Sequence, residues 1–214
     1  AQSGVLIKNA EALERFEKVD TIVIDKTGTL TEGRPKVMAI RPAAGFEEAE
    51  LLRLAASVER GSEHPLAAAI VAAAEERGLA LSPVSDFDSP VGKGVIGTVD
   101  GHRIVIGNRQ IMREAGIDIE SLAGIAETLR QDGATAIQIA IDGKPAGVIG
   151  IADPIKPTTP SAIAALKQLG LRVVMLTGDN VTTARAVARK LGIDEVEAEV
   201  LPEDKSKVVE RLRA

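Results

Sequence analysis

The chain holds 214 residues, 45% hydrophobic and 27% charged, with a net charge of -5. That is a normal globular balance, enough for one large domain or two small ones, and it lacks the basic excess of a general nucleic-acid binder. There is no cysteine, and the two histidines are His64 and His102, which excludes disulfides, thiolate metal sites and a multi-histidine metal centre.

No apolar run of about 18 residues occurs to cross a membrane as a helix, and no signal-peptide pattern opens the chain. Both ends read as cut. The aromatics are three phenylalanines, so a nucleotide base bound here would find no Trp or Tyr platform. Phe16, Phe46 and Phe87 are expected in the core.

In chain order, the spacing predicts a helix over 10–18, with Leu13 and Phe16 on one face. A short apolar strand follows at 21–24. It runs directly into Asp25-Lys26-Thr27-Gly28-Thr29-Leu30-Thr31, and Arg34-Pro35 ends that unit. A carboxylate at the carboxyl end of a strand, followed at once by a Gly-containing loop, lies where open α/β sheets place ligands and chemistry.

The texture then changes. An apolar stripe through Ala49, Leu52, Ala55 and Ala56 predicts a helix over 47–60. A second, Ala-rich helix is predicted over 65–77, with Pro65 at its first turn and Gly78 just past its end. Two β-rich pairs follow, 95–99 with 103–106 and 136–141 with 146–151, each joined by Asp-Gly, a strong hairpin signal. A helix over 121–130 lies between them.

After Asp153-Pro154 strands and helices alternate: helix 161–169, strand 172–176, helix 182–191, strand 195–200 and helix 204–213. Alternation implies a parallel sheet, and hairpins imply an antiparallel one. The expected fold is therefore α/β, a Rossmann-like parallel-sheet domain over 1–35 and 150–214. An α+β antiparallel-sheet domain over 36–149 interrupts it.

Chemistry concentrates at a few positions. A carboxylate that attacks a phosphoryl group needs an exposed oxygen, backbone amides and a cation. Asp25 has Thr27 and Gly28 beside it. An Asp that merely caps a turn would explain one residue and leave the rest of the run to coincidence.

Thr177-Gly178-Asp179-Asn180 follows the next parallel strand, on the same sheet edge, where a hydroxyl and a helix amino terminus suit a phosphate. Alone, Asp179 or Asn180 would be an ordinary cap. Lys205 opens the last helix, and a lysine there is usually just solvated. In the central segment, Glu63 and His64 precede a helix, Gly92-Lys93-Gly94 precedes the first hairpin, and Gly107-Asn108 follows it. Each is weak by itself, and His64 before Pro65 is a common local cap. His102, beside a turn, reads as exposed.

Together these motifs resemble the haloacid dehalogenase superfamily and, within it, the heavy-metal (type IB) P-type ATPases, with copper(I)-exporter texture in Ser62-Glu63-His64-Pro65-Leu66 and in 201–207. The opening 4–8 resembles the segment that leaves the membrane in that branch. The resemblance implies that Asp25 is the nucleophile that becomes an aspartyl-phosphate, with Lys26, Thr27, Gly178 and Asp179 around it. It implies Thr177 as phosphate ligand, Lys205 as charge-balancing lysine, and Asp153 in the hinge motif Asp153-Pro154-Ile155-Lys156 near the site.

It further implies that Glu63 and His64 contact adenine, that Gly92, Gly94 and Gly107 admit the phosphate tail, and that Asn108 completes the pocket. ATP and Mg2+ are the expected cofactors, with the metal on Asp25 and the Thr27 backbone. The expected partners are membrane helices and an actuator domain of the same polypeptide, with no nucleic acid. The expected location is the cytoplasmic side of a bacterial inner membrane.

Phosphatases of the superfamily carry a general-acid Asp where this chain has Thr27, which disfavours a soluble phosphatase with a cap domain. A bare nucleotide-binding module is the other alternative. The family's Gly-Asp-Gly-x-Asn-Asp motif, whose carboxylates hold Mg2+, is absent from the 214 residues. A fragment that autophosphorylates poorly is the expectation that follows.

Overall fold

Two sheets divide the chain. The computed structural model describes residues 17–213, so the opening segment 4–8 and most of the predicted helix over 10–18 lie outside the described residues. The elements are β1 (Thr21–Asp25), β2 (Lys36–Pro42), α1 (Glu48–Glu59), α2 (Pro65–Glu76), β3 (Ser85–Asp88), β4 (Gly94–Val99), β5 (His102–Gly107), α3 (Arg109–Glu114), α4 (Glu120–Gln131), β6 (Thr135–Ile141) and β7 (Lys144–Ala152). After these come α5 (Thr159–Gln168), β8 (Arg172–Leu176), α6 (Val181–Leu191), β9 (Glu195–Glu197) and α7 (Lys205–Arg213), the last preceded by a short turn at Pro202–Asp204.

The first sheet is parallel, in the order β1-β8-β9. Its register sets Asp25 beside Leu176, and Leu176 beside Glu197. Val173 and Met175 of β8 face a core shared with Ile163 of α5 and with Ala184, Val187 and Leu191 of α6. These α6 positions recur at helical spacing, which is why the helix lies flat on the sheet. β9 is shorter than the strand predicted over 195–200. Glu199 takes a left-handed φ of 58°, and a non-glycine residue there breaks the extended run.

The second sheet is antiparallel, in the order β2-β7-β6-β5-β4-β3. Its two Asp-Gly turns have positive φ at both central residues, 51° and 82° at Asp100 and Gly101, and 50° and 76° at Asp142 and Gly143. That is the type I′ geometry that matches strand twist. Both faces of this sheet are covered. Ile137, Ile139 and Ile141 of β6 pack towards α1 and α2, while Ala136 and Ala140 pack towards α3 and α4.

The phenylalanine expectation holds in part. Phe46 packs against the larger core, and Phe16 lies outside the described residues. Phe87 sits on the exposed edge strand β3, and a side chain added at Gly61 would strike its ring at 2.9 Å.

The two crossings between the sheets are zipped together. Thr31 bridges Ile155 in antiparallel fashion, and the Glu32 N–H donates to the Pro154 carbonyl at 2.9 Å. The Lys156 N–H and the Thr159 hydroxyl both donate to the Leu30 carbonyl, at 3.1 and 2.8 Å.

Candidate functional site

Asp25 ends β1 and Thr177 directly follows β8, so parallel register brings both to the carboxyl edge of the sheet. Lys205 at the start of α7 reaches the same edge, and its ammonium donates to Asp25 Oδ1 at 2.5 Å. Both side chains are about a third exposed, 36% and 37%, so the carboxylate is reachable from solvent. The three positions separated by most of the sequence thus meet on one edge.

A second charge pair lies under the first. The Lys26 ammonium, 10% exposed, pairs with Asp179 Oδ2. The Asp179 N–H in turn donates to the Thr177 hydroxyl at 3.1 Å, which fixes the turn that precedes α6. Asn180 caps that helix by accepting from the Thr183 N–H at 3.0 Å. Lys26 is therefore a buried brace between the two motif loops, while Thr27 and Gly28 are exposed.

Asp153 makes no contact with the Asp25 carboxylate in the bonding network. It holds the outgoing crossing instead. Its carboxylate accepts from the Thr31 hydroxyl at 2.5 Å, the Gly33 N–H at 3.1 Å and the Arg34 N–H at 3.0 Å. Lys156 adds a bond that sequence reading did not single out, its ammonium donating to the Gly28 carbonyl at 2.6 Å.

Between the sheets lies a cleft of about 870 Å³. Lys26, Thr27, Asp153, Gly178 and Asp179 line one side, and His64, Gly92, Gly94, Gly107 and Asn108 line the other. Most of the predicted site residues therefore share one cavity. Four do not: Asp25, Thr177, Lys205 and Glu63 stand outside the lining, and Glu63 is exposed.

Glu59, the last residue of α1, lines the cleft instead. Burial raises its carboxyl to about 7 from the ordinary 4.5, with the Ser62 hydroxyl pulling the other way. The sequence carried a signal for it. Glu59 falls seven residues after Leu52, on the helix face that is otherwise apolar, and a carboxylate on a core stripe asks for a reason.

His64 is the N-cap of α2, its Nδ1 accepting from the Leu66 N–H at 3.1 Å. That bond leaves the neutral ring carrying its proton on Nε2. Cap and ligand are thus compatible roles, since each uses a different nitrogen. Asn108 is a cap as well. Its Oδ1 accepts from the Gln110 and Ile111 N–H groups, and its Nδ2 donates to the Gly92 carbonyl at 3.0 Å. It shapes the loop before β4 and has little bonding capacity left over.

Gly94 and Gly107 are paired across β4 and β5, with φ of 144° and 151°. A Cβ at Gly94 would lie 2.0 Å from the Ile106 carbonyl oxygen, and one at Gly107 would lie 2.2 Å from that of Lys93. These two glycines are demanded by backbone meeting backbone. Gly92, at φ 71°, has open space where a Cβ would be. His102 is half exposed and pairs with Asp142 at 2.6 Å, away from the cleft.

Comparison with known proteins decides what this arrangement belongs to. Residues 19–214 match haloacid dehalogenase-like hydrolases. The chain is 58% identical over all its 214 residues to the silver exporting P-type ATPase of Salmonella typhimurium, and spans 26% of that protein. It is 54% identical over 214 residues to the copper-transporting P-type ATPase of Rhizobium leguminosarum bv. viciae, spanning 25% of it. Among solved structures, a zinc-transporting PIB-type ATPase in its E2.Pi state is 40% identical with a TM-score of 0.76, the match covering 99% of this chain and 34% of that one.

The chain belongs to the haloacid dehalogenase-like hydrolases, in the heavy-metal P-type ATPase branch.

It spans about a quarter of the length of these curated relatives. The haloacid dehalogenase-like match runs across both sheets. Among the described residues no helix is long and apolar enough to cross a membrane, and no cluster of three or more His, Cys, Asp or Glu could hold a metal. The oxygen donors beside Asp25 are its own carboxylate and nearby backbone carbonyls. These hard donors suit Mg2+, which commonly keeps one or two protein ligands together with water and substrate phosphates.

Proposed function

We propose that this chain is the ATP-binding and phosphorylation region of a heavy-metal-exporting P-type ATPase. In this reading residues 1–35 and 150–214 form the phosphorylation domain and 36–149 the nucleotide-binding domain. The observation that carries it is the single cleft that has the Asp25 loop at one end and His64 with the glycine loops at the other.

ATP sits with its base near His64 Nε2–H and the Glu59 carboxyl. Its phosphate tail runs past Gly92 and Gly94, where no side chain stands in the way. An Asp25 oxygen attacks the γ-phosphorus, the bond from that phosphorus to the β–γ bridging oxygen breaks, and ADP leaves with the electron pair. The product is an acyl phosphate on Asp25, and water later releases inorganic phosphate and restores the carboxylate.

Lys205 balances the carboxylate before transfer and the phosphoryl oxygens after it, and the Thr177 hydroxyl holds a phosphoryl oxygen. With Thr27 where a phosphatase would carry a general acid, hydrolysis of the acyl phosphate is slow. That suits a protein that must hold the phosphate while it changes shape. When bound, Mg2+ on the Asp25 carboxylate and the Thr27 carbonyl supplies neutralisation of phosphoryl charge.

The remaining partners are membrane helices and an actuator domain of the same polypeptide, and the proposed location is the cytoplasmic face of a bacterial inner membrane. Copper(I) is the proposed cargo. Relatives named for silver and copper share more than half of the chain's residues, whereas the zinc-transporting structure is more distant.

The test is acyl-phosphate formation in the full-length transporter supplied with γ-labelled ATP. Wild type forms a hydroxylamine-sensitive phosphoprotein, and Asp25→Asn forms none. Undiminished labelling of Asp25→Asn sinks the assignment.

A further inference from the structure

Thr183 is a buried polar residue, 1% exposed, on the otherwise apolar face of α6, and nothing in the proposed chemistry uses it. Its hydroxyl accepts from Asn180 Nδ2 at 2.9 Å and donates to the Ala134 carbonyl at 3.0 Å. Asn180 belongs to the phosphate loop. Ala134 precedes β6, whose residues Thr135 and Ala136 line the nucleotide side of the cleft.

One hydroxyl therefore joins the two walls directly, outside the two zipped crossings. The surrounding contact is built for close approach. Gly133, at φ 87°, leaves room for Val187 of α6, whose Cγ2 would lie 3.4 Å from a Cβ there. One turn further along the helix, the Lys190 ammonium donates to the Asp132 carbonyl at 2.7 Å. At the other end of the line, the residue before Asn180 is Asp179, tied to Lys26, which is bonded to Asp25 along the chain.

We infer that Thr183 is a positioning residue that fixes the angle between the phosphate loop and the nucleotide cleft, so that a phosphate tail held by one wall is aimed at Asp25 on the other. The inference rests on the reading of Asp25 as phosphoryl acceptor from ATP. Its physical basis is that phosphoryl transfer depends on in-line placement of reactants. A misplacement of about 1 Å can lower such a rate by about a hundredfold.

Replacing the hydroxyl with a methyl group of the same shape leaves the Ala134 carbonyl and the Asn180 amide without the partner that the buried Thr183 supplied. It removes no group that touches either ATP or the acceptor.

Two measurements test it. The first uses the 214-residue chain, which has no cysteine, with Cys introduced at exposed Leu169 and Glu76, one on each side of the cleft, and spin-labelled. The expected result is one narrow distance distribution in the parent, a broadened or shifted one in Thr183→Val, and recovery in Thr183→Ser. An unchanged distribution in Thr183→Val overturns the inference.

The second uses the full-length transporter and compares two phosphoryl donors. The expected result is an initial rate from ATP about tenfold or more lower in Thr183→Val, ATP affinity within about twofold of wild type, and restoration by Thr183→Ser. Phosphorylation from inorganic phosphate forms the same acyl phosphate with loss of water and needs no nucleotide cleft, so it stays at the wild-type level. Equal loss from both donors marks Thr183 as a merely structural residue and overturns the inference. A wild type that forms no phosphoprotein from either donor sinks the acceptor assignment, and the distance measurement still decides the role of Thr183.

Discussion

The two walls of the cleft are made by opposite means. On the parallel-sheet side, Asp25 with Lys205 and Lys26 with Asp179 are side-chain charge pairs at strand ends. On the antiparallel side the wall is made by backbone packed on backbone at Gly94 and Gly107 and by the open position at Gly92, together with capping groups at His64 and Asn108. A phosphate-handling wall needs fixed charge aimed at a small target. A wall that admits a long polyphosphate tail needs backbone left bare. The first should be sensitive to changes of charge, and the second to changes of volume.

The sharpest way to break this contrast is at the glycine pair. Gly94→Ala or Gly107→Ala forces a Cβ to within 2.0 or 2.2 Å of a carbonyl oxygen. We expect a loss of about 4 kcal/mol or more in chemical denaturation, while Gly92→Ala, with open space beyond it, falls well below that. Comparable losses at all three would mean that volume is not what matters.

Charge should matter next. Lys26→Met strands the Asp179 carboxylate, and breaking a buried pair by removing one partner costs about 3–5 kcal/mol. The double variant Lys26→Met with Asp179→Leu should recover part of that stability and none of the phosphorylation.

Glu59 is a carboxylate on the bare wall, and it titrates. Its folded value near 7 lies above the ordinary 4.5, so the folded state favours the protonated form. Its contribution is fully present below about pH 4.5 and is lost as pH rises to about 7. Glu59→Gln should flatten the fall in stability across that window and raise stability above pH 7 by about 3 kcal/mol. Thermal unfolding from pH 4.5 to 8 reads it. An unchanged pH profile would show that the carboxyl is already ionised in its niche.

His64→Ala removes the N-cap acceptor of α2 and should cost about 1 kcal/mol. Calorimetry should record a loss of ATP affinity in the same variant, because cap and base contact use different ring nitrogens. The smallest effect is expected at His102. Asp142 raises its pKa above the ordinary 6.5, so the pair stabilises the fold below that value and ceases to as pH rises through the raised one. Asp142→Asn should shift the midpoint only slightly at pH 6 and not at all at pH 9.

Much of this was legible in the sequence, for local physical reasons. The Asp-Gly hairpins were readable because type I′ turns demand left-handed φ at two adjacent residues. The strands β1 and β8 were readable because each ends in a polar motif that must sit on the sheet edge. β3 was not, since Ser85–Asp88 is exposed throughout and offers only Phe87 as an apolar signal. β2 was hidden behind Arg34-Pro35, which read as the end of a unit although the strand begins at Lys36. The six residues of α3 are too few for a periodic pattern to show.

At the site, Glu63 drew attention because it sits inside the motif, whereas Glu59 carries the burial. Its signal was a carboxylate on the apolar stripe of the helix predicted over 47–60. Thr183 and Lys156 could not be found this way. Each acts on a backbone carbonyl, Ala134 or Gly28, distant in sequence, and no side-chain pattern records a carbonyl.

The crossings carry one more consequence. Lys36 at the start of β2 is the ladder partner of Ala152 at the end of β7, so the antiparallel unit enters and leaves through neighbouring positions of a single sheet. Residues opposite each other in such a ladder stand about 5 Å apart. The chain therefore enters and leaves the unit at adjacent points, while the Thr183–Ala134 and Lys190–Asp132 bonds hold it to α6 as well. An exchange of the stretch 36–152 between related chains would thus cut the backbone at one pair of neighbouring positions, while Asp25, Thr177 and Lys205 keep their own sheet.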